Sequence, residues 1–379
     1  MNIFTTSNKI NFSCSKKAHC CVSWDIFLSK EIIRKIQQEK NSFPVLKEHP
    51  DFFTIVNEDN PIYYATVKLK NNKCLFLNED NSCSIFNVFG KNNGNPLCLH
   101  FPFMKLKLKD RYVIMTSLAC LSQIESLFDE HNIKLITTTD DDNKSWPVIP
   151  FNHMETVHFS KDIYFSWDAY YLMEKFFLDK TLNPDISIWQ LMFSLGIFHN
   201  QIIKSNISCF SSDTIKKVLN ELQFDDFTAS DSIEEILFFI KRKINMYNFP
   251  PFIELVKDML NLAENNIFSD NRVDFQQELS KWDLQFKKAF AIKFFSNPSN
   301  FLMSIQFFLH VIVFYFGFIK LFLFPYWIKN KTLKKGDISL AFQNVEQYFL
   351  HDTSIFKFWG QGKRGSKDFN QESLFKLMI

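Results

Sequence analysis

NFSCSKKAHCC, residues 11–21, opens a stretch that closes at Cys120, and the reading of this stretch decides the fold. Cys14, Cys20, Cys21, Cys74, Cys83, Cys98 and Cys120 all lie within it; of the 8 cysteines in 379 residues, Cys209 alone falls elsewhere. Cysteines that merely fill a core would be scattered along the chain. Crowding into the first third points to a soft-ligand site, a metal or an iron–sulfur cluster, because thiolates are soft, anionic donors. The remainder is then a scaffold or a substrate-binding body. The competing role for any one thiol is that of a small buried hydrophobe, and for the isolated Cys209 this role is preferred.

The spacings are C-x5-C-C, then C-x8-C, C-x14-C and C-x21-C. No C-x3-C-x2-C occurs, so the radical S-adenosylmethionine signature is absent, and no paired C-x2-C zinc ribbon occurs either. Adjacent side chains diverge, so Cys20 and Cys21 suit a cluster, two metals, or one ligand beside a packed neighbour. His19 and His100 each stand close to a cysteine and could add nitrogen ligands.

Outward from the thiols, the local pattern is of short strands and turns. Ser29 is positioned to cap a helix over Lys30–Lys40, with Ile32, Ile33 and Ile36 on one apolar face. Residues 62–69 (IYYATVKL) and 74–77 (CLFL) read as strands joined by a tight Asn71-Asn72 turn. A polar turn at Asn78–Asn81 leads to Cys83 and a short segment ending at Gly90. A loop rich in Asn and Gly at 91–96 delivers Cys98. Met104–Lys107 and Tyr112–Thr116 read as a further strand pair turning at Lys109-Asp110, before Cys120 closes the region. Leu121–Phe128 is the first helix beyond it.

Farther on, the pattern is helical. Residues 137–160, polar and carrying Pro147 and Pro150, are expected to form a linker. Helices are expected over 161–179, 186–204, 212–223, 232–246, 251–264 and 274–296, with Ser160, Asp185, Ser212, Ser232 and Asp274 at their starts. The most apolar run, 301–328, is long enough for a membrane span, but Gln306, His310 and Lys320 would be costly in lipid. A buried core helix is the preferred reading, so a membrane partner is not expected. A last helix is expected over 338–358. The fold class is therefore α+β, mainly α: a small cysteine-rich, metal-centred subdomain with short strands, followed by a large helical domain. The expected boundaries are 1–136, the linker 137–160, a helical domain 161–359 and a basic flexible tail 360–379.

Composition narrows the function classes. Hydrophobic residues at 46% and charged residues at 22% describe an ordinary packed protein. The 46 phenylalanines and 8 glycines reflect a residue bias and not a site. A net charge of +2 gives no reason to expect a nucleic-acid partner. Residues 1–13 have no basic start followed by an apolar run, so no secretory signal is read there and a cytoplasmic location with reduced or metal-bound thiols is expected. Gly360, Gly362 and Gly365 make a near match to G-x-G-x-x-G. No strand leads into them, and they are read as basic tail. Asp168 and Glu174 lie near Trp167, Tyr170 and Tyr171, which could cage a lysine, but aromatics at helical spacing are ordinarily core.

The cysteine steps resemble the flagellin lysine N-methylase family and its zinc- or iron-chelating module. Cys14…Cys20-Cys21-Val22-Ser23-Trp24 matches an opening run ending in a Cys pair followed by Trp. Cys74-Leu75-Phe76-Leu77, Cys83-Ser84-Ile85-Phe86, Leu97-Cys98-Leu99-His100-Phe101-Pro102 and Ser117-Leu118-Ala119-Cys120 match the later steps in order. The helix at 301–323 and the one carrying Gln347–His351 resemble the family more loosely. The resemblance implies methyl transfer from S-adenosylmethionine to lysines of flagellin. It also implies an iron–sulfur cluster (4Fe-4S) or zinc held by Cys14, Cys20, Cys21, Cys74, Cys83, Cys98 and Cys120. No catalytic residue or methyl-donor pocket is implied. Three positions depart from the pattern: Ser15–His19 lack a further cysteine, Phe103 replaces an Arg, and Leu121 replaces a Pro. Phe cannot supply the rigid cationic donor that Arg would. These departures leave a second reading, a non-catalytic, metal-stabilised binding protein.

Overall fold

The computed structural model describes residues 2–6, 18, 21–22, 26–59, 64–90, 94–95, 98, 100–130, 133–138, 148–150, 155–224, 257, 261, 267–296 and 304–346. The chain divides into two compact units, one of Met1–Ser126 with Thr137–Pro150 and one of Leu127–Ile136 with Phe151–Ile379. The class is α+β and mainly α, with small sheets beside the helices.

The first unit begins with β1 (Asn2–Thr6), a strand the sequence reading does not include. It runs parallel to β8 (Arg111–Thr116), with Asn2 opposite Arg111. β8 forms the expected hairpin with β7 (Phe103–Lys107), Lys107 facing Tyr112. β10 (Val148–Pro150) adds to the far side of β7, and β9 (Leu135–Thr138) completes the order β10-β7-β8-β1-β9. The stretch expected as a linker thus carries strands at β10 and at β11 (Val157–Ser160), because Val148–Pro150 finds a partner in Lys105–Lys107. The Arg111 guanidinium lies over the Phe4 ring, 4.9 Å from its centroid.

A second group of short elements surrounds an aromatic core. Helix α1 (Lys30–Gln38) starts at Ser29, whose hydroxyl accepts from the Ile32 amide. Ile32, Ile33 and Ile36 are buried, and a Glu31–Lys35 pair at 2.7 Å spans one turn of the outer face. β2 (Phe27–Leu28) and β3 (Phe53–Ile55) flank β4 (Ala65–Val67), both antiparallel. β5 (Leu69–Lys70) and β6 (Lys73–Cys74) form a hairpin over Asn71-Asn72, whose φ values are 52° and 60°. Only residues tolerant of the left-handed region suit such a turn, and Asn is one of them. Phe76 sits at the centre, edge-on to Phe43 and Phe52 with ring centroids 5.6 Å away in both cases. After the short α2 (Val45–Glu48) and this core, α3 (Ser84–Phe89) ends at Gly90, whose φ of 75° few other residues adopt.

The second unit is helical around a three-stranded sheet of β11, β12 (Ile163–Phe165) and β13 (Cys209–Phe210). β11 and β12 form a hairpin over Lys161-Asp162 where a helix is expected to open, so Ser166 and not Ser160 caps α5 (Trp167–Thr181). Ser187 and Gln190 form a reciprocal capping box at α6 (Ile188–Lys204), replacing the expected Asp185. Ser211 caps α7 (Ser212–Asn220). The single helix expected at 274–296 is two, α8 (Ile267–Ser280) and α9 (Asp283–Ser296). The break falls at Lys281-Trp282, whose amides bond back three residues to Glu278 and Leu279. Asp283 restarts the helix, accepts from the Ile188 amide at 2.7 Å and pairs with Lys287 at 3.0 Å.

The apolar run becomes α10 (Ile305–Asn330), followed by α11 (Lys335–Asn344). Among the described residues, α10 is the one helix long and apolar enough to cross a membrane by length and composition. It is also a core element, with most of its apolar stretch buried. Lys320 lies 5.0 Å over the Trp189 ring, which gives its buried ammonium an electrostatic partner. The buried Glu278 carboxylate holds the turn after α10, accepting from the Leu333 amide at 2.8 Å and from Lys281 at 2.6 Å. The helices expected at 232–246 and 251–264 fall outside the described residues apart from Lys257 and Asn261, as does the tail beyond Glu346.

Candidate metal centre in the first unit

Backbone pairing brings the cysteine steps together one after another. Val22 bridges Lys73 in antiparallel fashion, which sets Cys21 beside Cys74 at the end of the β5–β6 hairpin. Leu77 bridges Cys83, and the Leu77 amide donates to the Cys74 carbonyl at 3.0 Å, so the CLFL step folds back onto the next cysteine. Asn78 and Asn81 make the turn between them, with Asn81 at a φ of 62°. The β7–β8 hairpin does the same for the last two steps. The Ser117 amide donates to the Pro102 carbonyl at 2.9 Å, joining the segment after Cys98 to the segment before Cys120.

The outcome differs among the seven candidate ligands. Cys74 is buried within the aromatic core, and Cys21, Cys83 and Cys98 pack half-buried against the same core. Four thiols therefore lie in or against one apolar cluster. Cys120 is buried outside that cluster, at the start of α4 (Leu121–Ser126), where its carbonyl accepts from the Gln123 and Ile124 amides. Cys14, Cys20 and His19 lie outside the described residues. Among the described residues no three His, Cys, Asp or Glu side chains converge on one point in the way a bound metal requires.

The buried Asn95 carboxamide donates to the Cys98 sulfur at 3.1 Å and to the Phe27 carbonyl at 2.7 Å. An N–H aimed at sulfur favours a thiolate or a metal-bound thiolate. Burial holds the His100 imidazole below its usual pKa, which favours the neutral, ligating form. Phe103, at the position where the resembling family carries Arg, opens β7 opposite Thr116 and is half-buried. Asn95 was invisible to the sequence reading, since one polar residue in an Asn- and Gly-rich loop gives no sign of burial.

Outside this region, Cys209 is exposed at the start of β13. The expectation that it packs as a small hydrophobe is corrected: in the β12–β13 pair Phe210 turns inward and Cys209 outward, by the alternation of a strand. Most of the aromatic–acid group on α5 is core. Trp167 and Tyr170 are buried, and the Tyr170 hydroxyl donates to the buried Glu174 at 3.2 Å. Asp168 faces solvent. The sequence reading also missed a buried group in the second unit, where Lys293 of α9 pairs with Glu346 and lies 4.9 Å over the ring of Tyr315 of α10. Burial pushes the Lys293 pKa down and the Tyr315 pKa up.

Comparison with known proteins gives partial matches. The chain is 28% identical over 117 residues to a lysine-N-methylase of Salmonella choleraesuis and 28% identical over 116 residues to one of Salmonella typhimurium. Each match spans 29% of this chain and 28% of the methylase. A flagellar biosynthetic protein FliU of Salmonella muenchen is 28% identical over 115 residues, spanning 29% of this chain and 67% of that protein. No family model matches the chain. No solved structure matches it either.

Proposed function

We propose that the chain is a protein-lysine N-methyltransferase that methylates flagellin from S-adenosylmethionine, with a thiolate-held iron–sulfur cluster or zinc in its first unit. The observation that carries this reading is the gathering of Cys21, Cys74, Cys83 and Cys98 about one core, in a chain that is similar over part of its length to lysine-N-methylases. The name of the third relative favours a flagellar substrate. The centre would be held by these four thiolates with Cys14, Cys20 and Cys120, and it would supply structural order or electron-transfer chemistry according to the metal. A cytoplasmic location fits a substrate modified before export.

The chemistry sets one requirement. A lysine amine attacks a methyl group only when neutral, so its ammonium must first lose a proton to a nearby base or to water. No residue of this chain is assigned that role. The test is transfer of labelled methyl groups from S-adenosylmethionine to purified flagellin by the anaerobically isolated full chain. Labelled flagellin with methyl-lysine in its hydrolysate supports the reading. Metal-loaded protein that neither binds S-adenosylmethionine nor transfers methyl groups would overturn it. That result would favour the second reading, a non-catalytic metal-stabilised binding protein, for which Phe103 in place of an Arg and the cysteine missing at Ser15–His19 already argue.

A further inference from the structure

We infer that α11 is a clasped strap: two buried carboxylates, Glu278 before its start and Glu346 past its end, close it onto the second unit, and it opens as one piece while α6 stays folded. At the near end Glu278 of α8 is buried, and its carboxylate accepts from the Leu333 amide at 2.8 Å, the Thr332 hydroxyl at 3.3 Å and the Lys281 ammonium at 2.6 Å. At the far end Glu346 is 1% exposed and pairs with Lys293 of α9, whose ammonium lies 4.9 Å over the Tyr315 ring of α10. The chain passes from α10 to α11 through Lys331, at a φ of 55°, so the strap hangs from a turn and not from a continuous helix.

Between the clasps the hold is thin. Of the 10 residues of α11, Ile338, Ala341 and Phe342 are buried, and the Phe342 ring lies 5.8 Å from that of Phe286 and 6.3 Å from that of Tyr315. Lys335, Gly336 and Leu340 are exposed. In α6, by contrast, 10 of 17 residues are buried. A helix as short as α11 is marginal by itself, so it depends on what it docks against. A buried ion pair adds little net stability while intact, because both charges regain hydration on separating, yet removing one partner strands the other. At Lys293 burial outweighs the pull of Glu346 and holds the pKa below the ordinary lysine value. Such clasps fix where the strap closes and let it open more easily than the whole unit unfolds. Opening bares the aromatic seam of Phe286 and Tyr315 between α9 and α10.

The test is native-state hydrogen exchange of the full chain at low urea, read by mass spectrometry for peptides from α11 and from α6. In wild type the α11 amides should exchange through an opening of smaller free energy and smaller urea dependence than the α6 amides. Ile202→Val trims a fully buried side chain of α6 and should speed α6 exchange about 2- to 10-fold. The same change should leave α11 exchange as it was, because α6 is intact when the strap is open. Glu346→Gln and, independently, Glu278→Gln should each speed α11 exchange by about 100-fold or more. If α11 amides match those of α6 in free energy and urea dependence, or respond to Ile202→Val as α6 does, α11 leaves only with the whole unit and the inference is overturned. Unchanged α11 exchange in both glutamine variants overturns it as well, since closure would not rest on the two carboxylates.

Discussion

Replacing His199 with glutamine should abolish a large part of the protein's acid sensitivity. His199 lies on α6, fully buried, with its ring 5.9 Å from that of Phe159 and its Nδ1 3.4 Å from the Asn200 side-chain oxygen. Burial drives its pKa from 6.5 down to about 4, the Asn200 contact opposing this only in part. The folded state therefore resists protonating a ring that the unfolded chain protonates at pH 6.5. The contribution of the neutral ring to stability is intact above pH 6.5, falls as pH drops through the interval from 6.5 to about 4, and is gone below it. Over that interval the difference in proton affinity amounts to about 3 kcal/mol. Whole domains are commonly stable by only about 5–15 kcal/mol, so such a loss is large. The assay is urea unfolding, followed by tryptophan fluorescence, at pH 7 and pH 4 for wild type and His199→Gln. The stability difference between the two proteins should shift by about 3 kcal/mol toward the variant at pH 4. A difference that does not change with pH would refute the reasoning.

Two further outcomes follow from other buried groups. Phe76→Ala removes the ring that Phe43 and Phe52 contact edge-on, and should cost about 3–5 kcal/mol while speeding alkylation of Cys74. A loss below about 1 kcal/mol with Cys74 still protected would contradict the packing described. Lys293→Met leaves the Glu346 carboxylate buried without its cation and should cost about 3–5 kcal/mol, whereas the double change Lys293→Met with Glu346→Leu should recover most of it. Urea melts of the three proteins decide this, and a single variant no worse than the double would count against a tightly buried pair.

Local chemistry made several elements legible from sequence. Ser29 followed by Ile32, Ile33 and Ile36 carries both a cap and an apolar face, and α1 forms there. The Asn71-Asn72 turn rests on residues that tolerate positive φ, which the backbone adopts. Gln306, His310 and Lys320 in the apolar run signalled burial in protein, and α10 is largely buried. What escaped the reading depends on partners far away in the chain. β1 is five unremarkable residues until β8, more than a hundred residues on, pairs with it. Beyond the α8–α9 break, Asp283 meets the Ile188 amide, a contact no local window contains. Within the candidate site, the order of the cysteine steps was visible. The burial of Asn95 was not, because it depends on how distant segments pack over the loop.

The measurement that bears most directly on the central claim is the iron, sulfide and zinc content of anaerobically purified full-length protein, taken with its visible absorption spectrum. The account predicts bound metal in stoichiometric amount, either iron with sulfide and a broad visible band or zinc, and its loss when Cys21 or Cys98 is replaced by serine. Protein that holds no metal, or that keeps its metal after both replacements, would contradict the account.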